Sequence, residues 1–120
     1  MAERMGVPMF LDARGTLVTI EFDEVPFTVR RVFAVTGPEH GATRGNHGMN
    51  CAELIVLLSG SVTIRLGVDA DSLDQEFLLE APGAALPVPE GTFLQYHLPD
   101  AGSSIVVLAE RHYIEAEPAS

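Results

Sequence analysis

The sequence predicts a single all-β domain, folded as an antiparallel sandwich, jelly roll or closed barrel. Apolar residues alternate with polar ones at a period of two, in segments rich in Val, Ile, Thr and Phe. Gly, Pro, Asp or Ser interrupts these segments about every ten residues, and no segment has the periodicity of a helix. Many short strands without helices are typical of these three architectures.

Eight segments fit strands. They are Thr16–Phe22, Val29–Val35, Glu53–Leu58, Ser61–Leu66, Glu76–Glu80, Ala85–Val88, Phe93–Leu98 and Ser104–Tyr113. Ser61–Leu66 alternates strictly, which predicts one buried and one exposed face. Leu54–Leu58 has no polar face, so it is predicted to be a central strand covered on both sides, followed by a tight turn at Ser59–Gly60. Gly37–Asn50 and Asp69–Asp74 are predicted to be irregular.

Composition narrows the class of protein. The chain has 120 residues, of which 47% are apolar and 20% charged, so we expect one packed domain over 1–120 with a frayed tail at 115–120. The net charge is −10, and all seven basic residues are arginines. Such a surface repels phosphate backbones and anionic lipids, so neither nucleic acid nor membrane is an expected partner. Two arginines inside a pocket can still bind a phosphorylated metabolite.

The cysteine count and the N-terminus bear on the compartment. Cys51 is the single cysteine, so an intramolecular disulfide is excluded. Met1–Met9 has neither a basic region nor a long apolar region, and no apolar run approaches the roughly 20 residues needed to cross a bilayer. We therefore expect a cytoplasmic protein.

Two motifs carry a resemblance to the cupin superfamily. From Gly41 the chain reads GATRGNHGMNCAELIVLLSG, which resembles the first cupin motif, G-x5-H-x-H-x3-E-x6-G, in every spacing. From Gly83 it reads GAALPVPEGTFLQYHL, which resembles the second motif, G-x5-P-x-G-x2-H-x3-N. The resemblance implies a cupin-type antiparallel β-barrel, or jelly roll, with a ligand site inside.

The resemblance also bears on metal binding, because metal-binding cupins use two histidines and a glutamate of the first motif and a histidine of the second. This chain has His47 and Glu53 at two of these positions, but Met49 and Leu94 stand at the other two. A thioether binds iron, manganese or zinc poorly and leucine not at all. We therefore expect no metal and no other cofactor. His97 is displaced by three residues, so strand alternation predicts that it faces the other side.

A narrower resemblance covers most of the chain. The segments DARGTL from Asp12, RVF from Arg31 and RGNH from Arg44 are similar to motifs of the bacterial dTDP-4-keto-6-deoxyglucose 3,4-ketoisomerases, which are metal-free cupins. This resemblance implies a homodimer with a sugar-nucleotide site in the barrel. An open barrel whose edge strand must be covered agrees with a dimer. The chain departs from the family at Phe33, Met49 and Phe93-Leu94, where Tyr, His and Trp-His are common.

The candidate catalytic residues are His47 and Glu53. His47 follows a glycine-rich segment, and its near-neutral reference pKa suits a general base; the alternative is a structural histidine with its hydrogen bonds satisfied. Glu53 shares the strand parity of His47 and Met49. It is expected inside the barrel, either as a polar site residue, with a raised pKa if it is unpaired, or as the partner of Arg31.

The candidate substrate-binding residues fall into two groups. Arg31 lies inside an apolar strand and Arg44 in the glycine-rich segment; both are expected to bind a phosphate or carboxylate, although Arg44 equally fits a loop residue paired with an acid. The others are predicted to line the pocket, or to fill the core: Phe33, Met49, Leu94 and Tyr96.

Three functions follow from these assignments. The first is a metal-independent isomerase acting on a small polar metabolite, with a nucleotide-linked 4-keto-6-deoxysugar as the expected substrate. The second is a cupin that positions an apolar natural-product intermediate for cyclisation or isomerisation. The third is a ligand-binding cupin without catalysis. Retention of Arg31 and Arg44 favours the first, because an apolar substrate has no use for two arginines.

Overall fold

The fold is described from a computed structural model, for residues 3–112. Eleven strands occur in this part of the chain. They are β1 Met5–Gly6, β2 Met9–Asp12, β3 Gly15–Val18, β4 Arg31–Thr36, β5 Ala42–Gly48, β6 Glu53–Ser59, β7 Val62–Gly67, β8 Gln75–Leu79, β9 Ala84–Val88, β10 Phe93–Leu98 and β11 Ser104–Ala109. Within 3–112 the only helical segment is a 3-10 turn at Phe22–Glu24, so the all-β prediction is confirmed. Among these residues no helix has the length and apolarity needed to cross a bilayer.

Two antiparallel sheets form the body of the domain. The five-stranded sheet has the order β1-β9-β6-β11-β4, and the four-stranded sheet has the order β5-β10-β7-β8. A third, two-stranded sheet is the β2-β3 hairpin. The two larger sheets pack face to face around one apolar cluster to which both contribute, including Ile55, Leu57, Ile64 and Leu86. The interior of the domain is therefore the space between these two sheets.

Strand β6 is central and buried on both faces, as predicted. Leu54, Ile55, Val56 and Leu57 are each fully buried. Ile55 and Leu57 face the interior cluster, whereas Leu54 and Val56 pack against a second cluster on the outer side of the sheet. That second cluster is built largely from the N-terminal segment, through residues such as Val7, Ile20 and Phe27. Residues 5–29 thus supply an apolar cover for the central strand.

Several predicted boundaries are wrong. Thr16–Phe22 is not one strand, because β3 ends at Val18 and the 3-10 turn begins at Phe22. Ala42–Gly48 is a strand within the segment predicted to be irregular, since pairing with β10 supplies the order that its glycines lack locally. The last strand ends at Ala109 rather than Tyr113, which lies outside the described residues, as does the 115–120 tail.

The turn at Ser59–Gly60 exists, but it does not close a hairpin. Strand β6 belongs to the five-stranded sheet and β7 to the four-stranded sheet, so the turn carries the chain from one layer to the other. Gly60 has a φ of 67°, and a Cβ there would collide with Ser103. Only glycine meets both conditions without strain. Short-range sequence predicted the turn, whereas packing decided which sheet follows it.

Candidate functional site

Every candidate site residue faces the space between the two large sheets. Arg31 and Phe33 alternate with exposed residues on β4, and Phe33 packs against the interior cluster. Glu53 shares the face of Ile55 on β6. The segment 49–52 joins β5 directly to β6, so His47 and Glu53 lie at the same end of the domain. This end, where β5 stops and β6 starts, is the candidate site.

A buried ion pair lies at this end. Arg31 Nη2 is 3.4 Å from Glu53 Oε2, and the two side chains are 13% and 4% exposed. The two residues are on strands that do not touch, because β11 runs between β4 and β6. Ala109 of β11 pairs with both of them, so the three residues form one row across the sheet. In this row only the methyl group of Ala109 lies between the side chains of Arg31 and Glu53. A longer side chain at position 109 would fill the space that the arginine crosses.

Phe33 supports the arginine from the next row of β4. The guanidinium carbon of Arg31 lies 5.0 Å from the centroid of the Phe33 ring, within the range of a cation–π interaction. Glu53 and Phe33 thus hold the guanidinium from two sides. Of the two roles expected for Glu53, an unpaired polar site residue or the partner of Arg31, the structure shows the second.

His47 is the penultimate residue of β5 and lies on the interior face of this strand. It pairs with Leu94 of β10, and residues opposite one another in an antiparallel pair share a face. Its Nδ1 lies 3.3 Å from the carbonyl oxygen of Gly48. A carbonyl can only accept, so the ring hydrogen-bonds to Gly48 in the tautomer that carries the proton on Nδ1. In the neutral ring Nε2 then carries the lone pair, as a general base requires.

Arg44 also belongs to the interior face, at the edge of the sheet. It pairs with Tyr96, which is buried in the interior cluster. Strand β5 is the outermost strand of its sheet, and the Arg44 side chain is exposed to solvent there. This arginine therefore borders the interior, whereas Arg31 lies within it.

The remaining predicted lining residues are apolar and buried. Met49, Leu94 and Tyr96 are between 1% and 4% exposed and all belong to the interior cluster. His97 faces outward as predicted, and its Nδ1 is 2.9 Å from Thr43 Oγ1 on the outer surface. Leu94, Met49 and Tyr96 thus contribute one hydrocarbon side chain, one thioether and one phenol to the interior.

The donor set does not suit a transition metal. Among residues 3–112, no three His, Cys, Asp or Glu side chains meet in an arrangement fit for a metal ion. Glu53 is engaged with Arg31, and the buried side chains of Met49 and Leu94 offer one thioether between them.

Two contributors were missed by sequence reasoning. Ala109 gives no local signal, because its importance lies in being opposite both Arg31 and Glu53. The Gly45-Asn46 pair did give a signal, since both residues tolerate positive φ, but it was interpreted as loop rather than as an irregularity within a strand.

Two surface clefts adjoin these elements. One of about 340 Å³ lies beside Glu53 and is lined mainly by apolar residues, including Pro26, Phe27 and Val88. Another, of about 210 Å³, lies on the outer face of the four-stranded sheet around His97 and Arg65. Four of the side chains that line it are hydrogen-bonded to a neighbour, those of Thr43, Arg65, Gln95 and His97.

Comparison with known proteins places this chain in a family. Residues 3–118 match the family model described as FdtA, WxcM-like, C-terminal. No curated protein matches the sequence.

Solved structures share the fold over almost the whole chain. A 3,4-ketoisomerase from Helicobacter canadensis superposes with a TM-score of 0.78 at 21% identity, covering 97% of this chain and 89% of that one. A double mutant of the QdtA 3,4-ketoisomerase from Thermoanaerobacterium thermosaccharolyticum, in complex with TDP, gives 0.79 at 26% identity, covering 93% and 81%. The WlaRB TDP-quinovose 3,4-ketoisomerase from Campylobacter jejuni gives 0.76 at 24% identity, covering 93% and 86%. The cupin-type jelly roll is confirmed.

Proposed function

The chain belongs to the FdtA family of WxcM-like C-terminal domains, and on that premise we propose that it is a metal-independent isomerase of a nucleotide-linked 4-keto-6-deoxysugar. The reaction moves the carbonyl between C4 and C3 of the sugar. One observation carries the proposal: Arg31, Arg44 and His47 share the interior face of the barrel. Two cations suit a diphosphate, and one imidazole suits proton transfer.

The chemistry needs a single proton shuttle. His47 Nε2 takes the proton from C3, which bears the hydroxyl. The electron pair of that C–H bond forms the C3–C4 double bond, and the π pair of the C4 carbonyl moves to O4, which gives an enediolate. The imidazolium then returns the proton to C4, while the O3 hydroxyl proton passes to O4 and C3 becomes the carbonyl. No atom is gained or lost, so no cofactor is required. The neutral tautomer set by the Gly48 carbonyl is the one that starts this cycle.

Glu53 acts through Arg31 rather than on the sugar. A carboxylate that holds a buried guanidinium lowers the cost of keeping that charge in an apolar interior. We assign Arg31 to the diphosphate or to a sugar oxygen and Glu53 to positioning Arg31. Phe33, Met49, Leu94 and Tyr96 form the wall against which the deoxysugar packs, with its apolar methyl group.

The apolar wall favours a second candidate function. Met49 and Leu94 make the interior less polar than sugar recognition requires, and a cleft lined by Pro26 and Phe27 adjoins Glu53. These features suit a cupin that positions an apolar natural-product intermediate by shape. The Arg31–Glu53 pair weighs against this candidate, because an apolar ligand would leave two buried charges without a function.

We propose also that the protein acts as a cytoplasmic homodimer. The β2-β3 hairpin carries large apolar side chains that are well exposed: Phe10 is 59%, Leu11 72% and Leu17 58% exposed. Phe10 and Leu17 pair across the hairpin and share one face, and several large apolar side chains exposed on one hairpin are typical of an interface. The contact with a second copy would bury this hairpin.

The test is a direct assay with TDP-4-keto-6-deoxyglucose, followed by proton NMR of the sugar. The expected result is a 3-keto product without added metal. A matched thermal-shift titration with TDP should show stabilisation, which reaches about 2.7 kcal/mol at a hundredfold excess over Kd. Stabilisation by TDP without turnover would indicate a ligand-binding cupin without catalysis. The absence of both stabilisation and turnover would exclude a sugar nucleotide as the ligand.

A further inference from the structure

Strand β5 breaks the alternation rule at the two residues that matter most for the proposed site. Arg44 and His47 are three residues apart, so a regular strand would turn their side chains to opposite faces. The structure instead pairs His47 with Leu94 and Arg44 with Tyr96, and both partners belong to the interior cluster. Arg44 and His47 therefore share one face.

The cause is a one-residue bulge. Leu94 pairs with His47 and the next residue, Gln95, pairs with Gly45, so Asn46 is the extra residue in the strand. Gly45 has a φ of 90° and Asn46 a φ of 60°. Asparagine tolerates this region better than other residues with a side chain, and a Cβ at Gly45 would lie 2.9 Å from the Leu94 carbonyl oxygen.

The bulge is secured from the opposite surface of the sheet. Gln95 Nε2 donates to Asn46 Oδ1 at 2.7 Å, linking the extra residue to the neighbouring strand. Gln95 lines the outer cleft together with His97 and Thr43, so it does not face the interior where a substrate would bind. Any effect of Gln95 on the reaction must pass through the bulge.

The alternative register shows what the bulge achieves. If β5 continued from His47 without an extra residue, Asn46 would pair with Gln95 and Arg44 would pair with His97. His97 faces outward and is exposed. Arg44 would then project from the outer face of the sheet, on the other side from His47.

We propose that the Gly45-Asn46 bulge, which rests on the positive φ of both residues, is a positioning element that brings Arg44 to the same ligand as His47. The inference rests on the proposed function, because it assigns Arg44 to the diphosphate of a sugar nucleotide. Gly45, Asn46 and Gln95 touch no substrate. Their contribution is to the register of residues 42–44.

The test replaces the two positive-φ residues by valine, which strongly prefers extended backbone. Gly45→Val with Asn46→Val should weaken TDP binding at least about tenfold by calorimetry, the loss expected for Arg44→Ala when a charge-assisted hydrogen bond is removed. Asn46→Gly keeps the positive φ and should bind TDP within about twofold of the unmodified protein. Deleting Asn46 should also preserve binding, because Gly45 and Arg44 then pair with Gln95 and Tyr96 without a bulge.

Each outcome separates the inference from the proposed function. If Arg44→Ala weakens TDP binding and a folded valine pair does not, the positioning role is wrong while the ligand assignment stands. If the unmodified protein does not bind TDP, or if Arg44→Ala binds TDP equally well, the positioning role and the assignment of Arg44 to the diphosphate are both wrong. Should the double variant not fold, Asn46→Val alone, with its melting temperature measured beside it, is judged by the same criterion.

Discussion

Arg31 and Glu53 form an ion pair across a strand that neither of them belongs to. Their side chains meet at 3.4 Å over Ala109, the residue of β11 that pairs with both. The pair is shielded from solvent, since Glu53 is only 4% exposed at its side chain. A charge held in this way depends on its partner, and several measurable consequences follow from that dependence.

Glu53→Ala should destabilise the protein by about 3 kcal/mol, because it leaves the Arg31 guanidinium buried without its carboxylate. Urea unfolding followed by circular dichroism measures the change. The matched control is Glu76→Ala, which removes a 2.9 Å pair with Arg65 between side chains that are 60% and 50% exposed. A surface pair of this kind contributes about 0–1 kcal/mol. Equal losses for the two variants would contradict the structural role given to Glu53.

Ala109→Leu should separate Arg31 from Glu53 by filling the gap between them. Overpacking of a buried site costs about 1–3 kcal/mol, and here the ion pair is disturbed as well. We expect weaker TDP binding together with lower stability, measured by calorimetry and urea unfolding. Ala34→Leu is the control, because Ala34 lies on β4 and faces solvent. If the Ala109→Leu variant folds and its TDP affinity is unchanged, contact with Glu53 over Ala109 does not position Arg31 for the ligand.

His47→Ala should abolish turnover and leave the fold and TDP binding intact, since the proposed role of this residue is proton transfer. Steady-state kinetics would show a lost kcat, whereas Arg31→Ala and Arg44→Ala should act mainly by raising KM. His97→Gln, on the outer face, is the control for loss of an imidazole. If His47→Ala kept the full kcat, proton transfer by His47 would be excluded. The functions that would then stand are positioning of a ligand by shape and ligand binding without catalysis.

The purified protein should carry less than about one-tenth of a transition-metal ion per chain, because a thioether and a leucine replace two imidazoles of the metal-binding pattern. Inductively coupled plasma analysis after dialysis measures the content. Met49→His combined with Leu94→His restores two nitrogen donors and is the positive control. One iron, manganese or zinc per chain in the unmodified protein, lost on His47→Ala, would overturn the prediction.

Sedimentation should give a dimer at micromolar concentration, and Leu11→Asp should shift it toward the monomer. The aspartate places a charge in the exposed apolar hairpin that we assign to the interface. Val68→Asp is the matched control, because Val68 is 81% exposed and belongs to the loop between β7 and β8, not to that hairpin. A 12.9 kDa species alone in the unmodified protein would contradict the proposed assembly.

Which side chains reach the candidate site depends on the pairing of distant strands, and no local sequence pattern specifies that pairing. Strand parity predicts that Glu53 and His47 face the interior, and in the structure they do. For Arg44, strand parity counted from His47 predicts the opposite face, because one bulge residue reverses the alternation. Ala109 became relevant only through its two partners, which are separated from it by 78 and 56 positions in sequence, the differences 109 − 31 and 109 − 53.

The sequence by itself determined the features that depend on near neighbours. The unbroken apolar run of Leu54–Leu58 specifies β6 as a central strand, the period-two pattern specifies the outward direction of His97, and glycine specifies the turn at Gly60. Burial of neighbouring side chains and backbone sterics act over a few positions. Tertiary structure decided that β6 and β7 lie in different sheets, that Arg31 meets Glu53 over Ala109, and that Arg44 joins His47. These are choices of register and partner between distant strands, and their energies arise only when the strands pack.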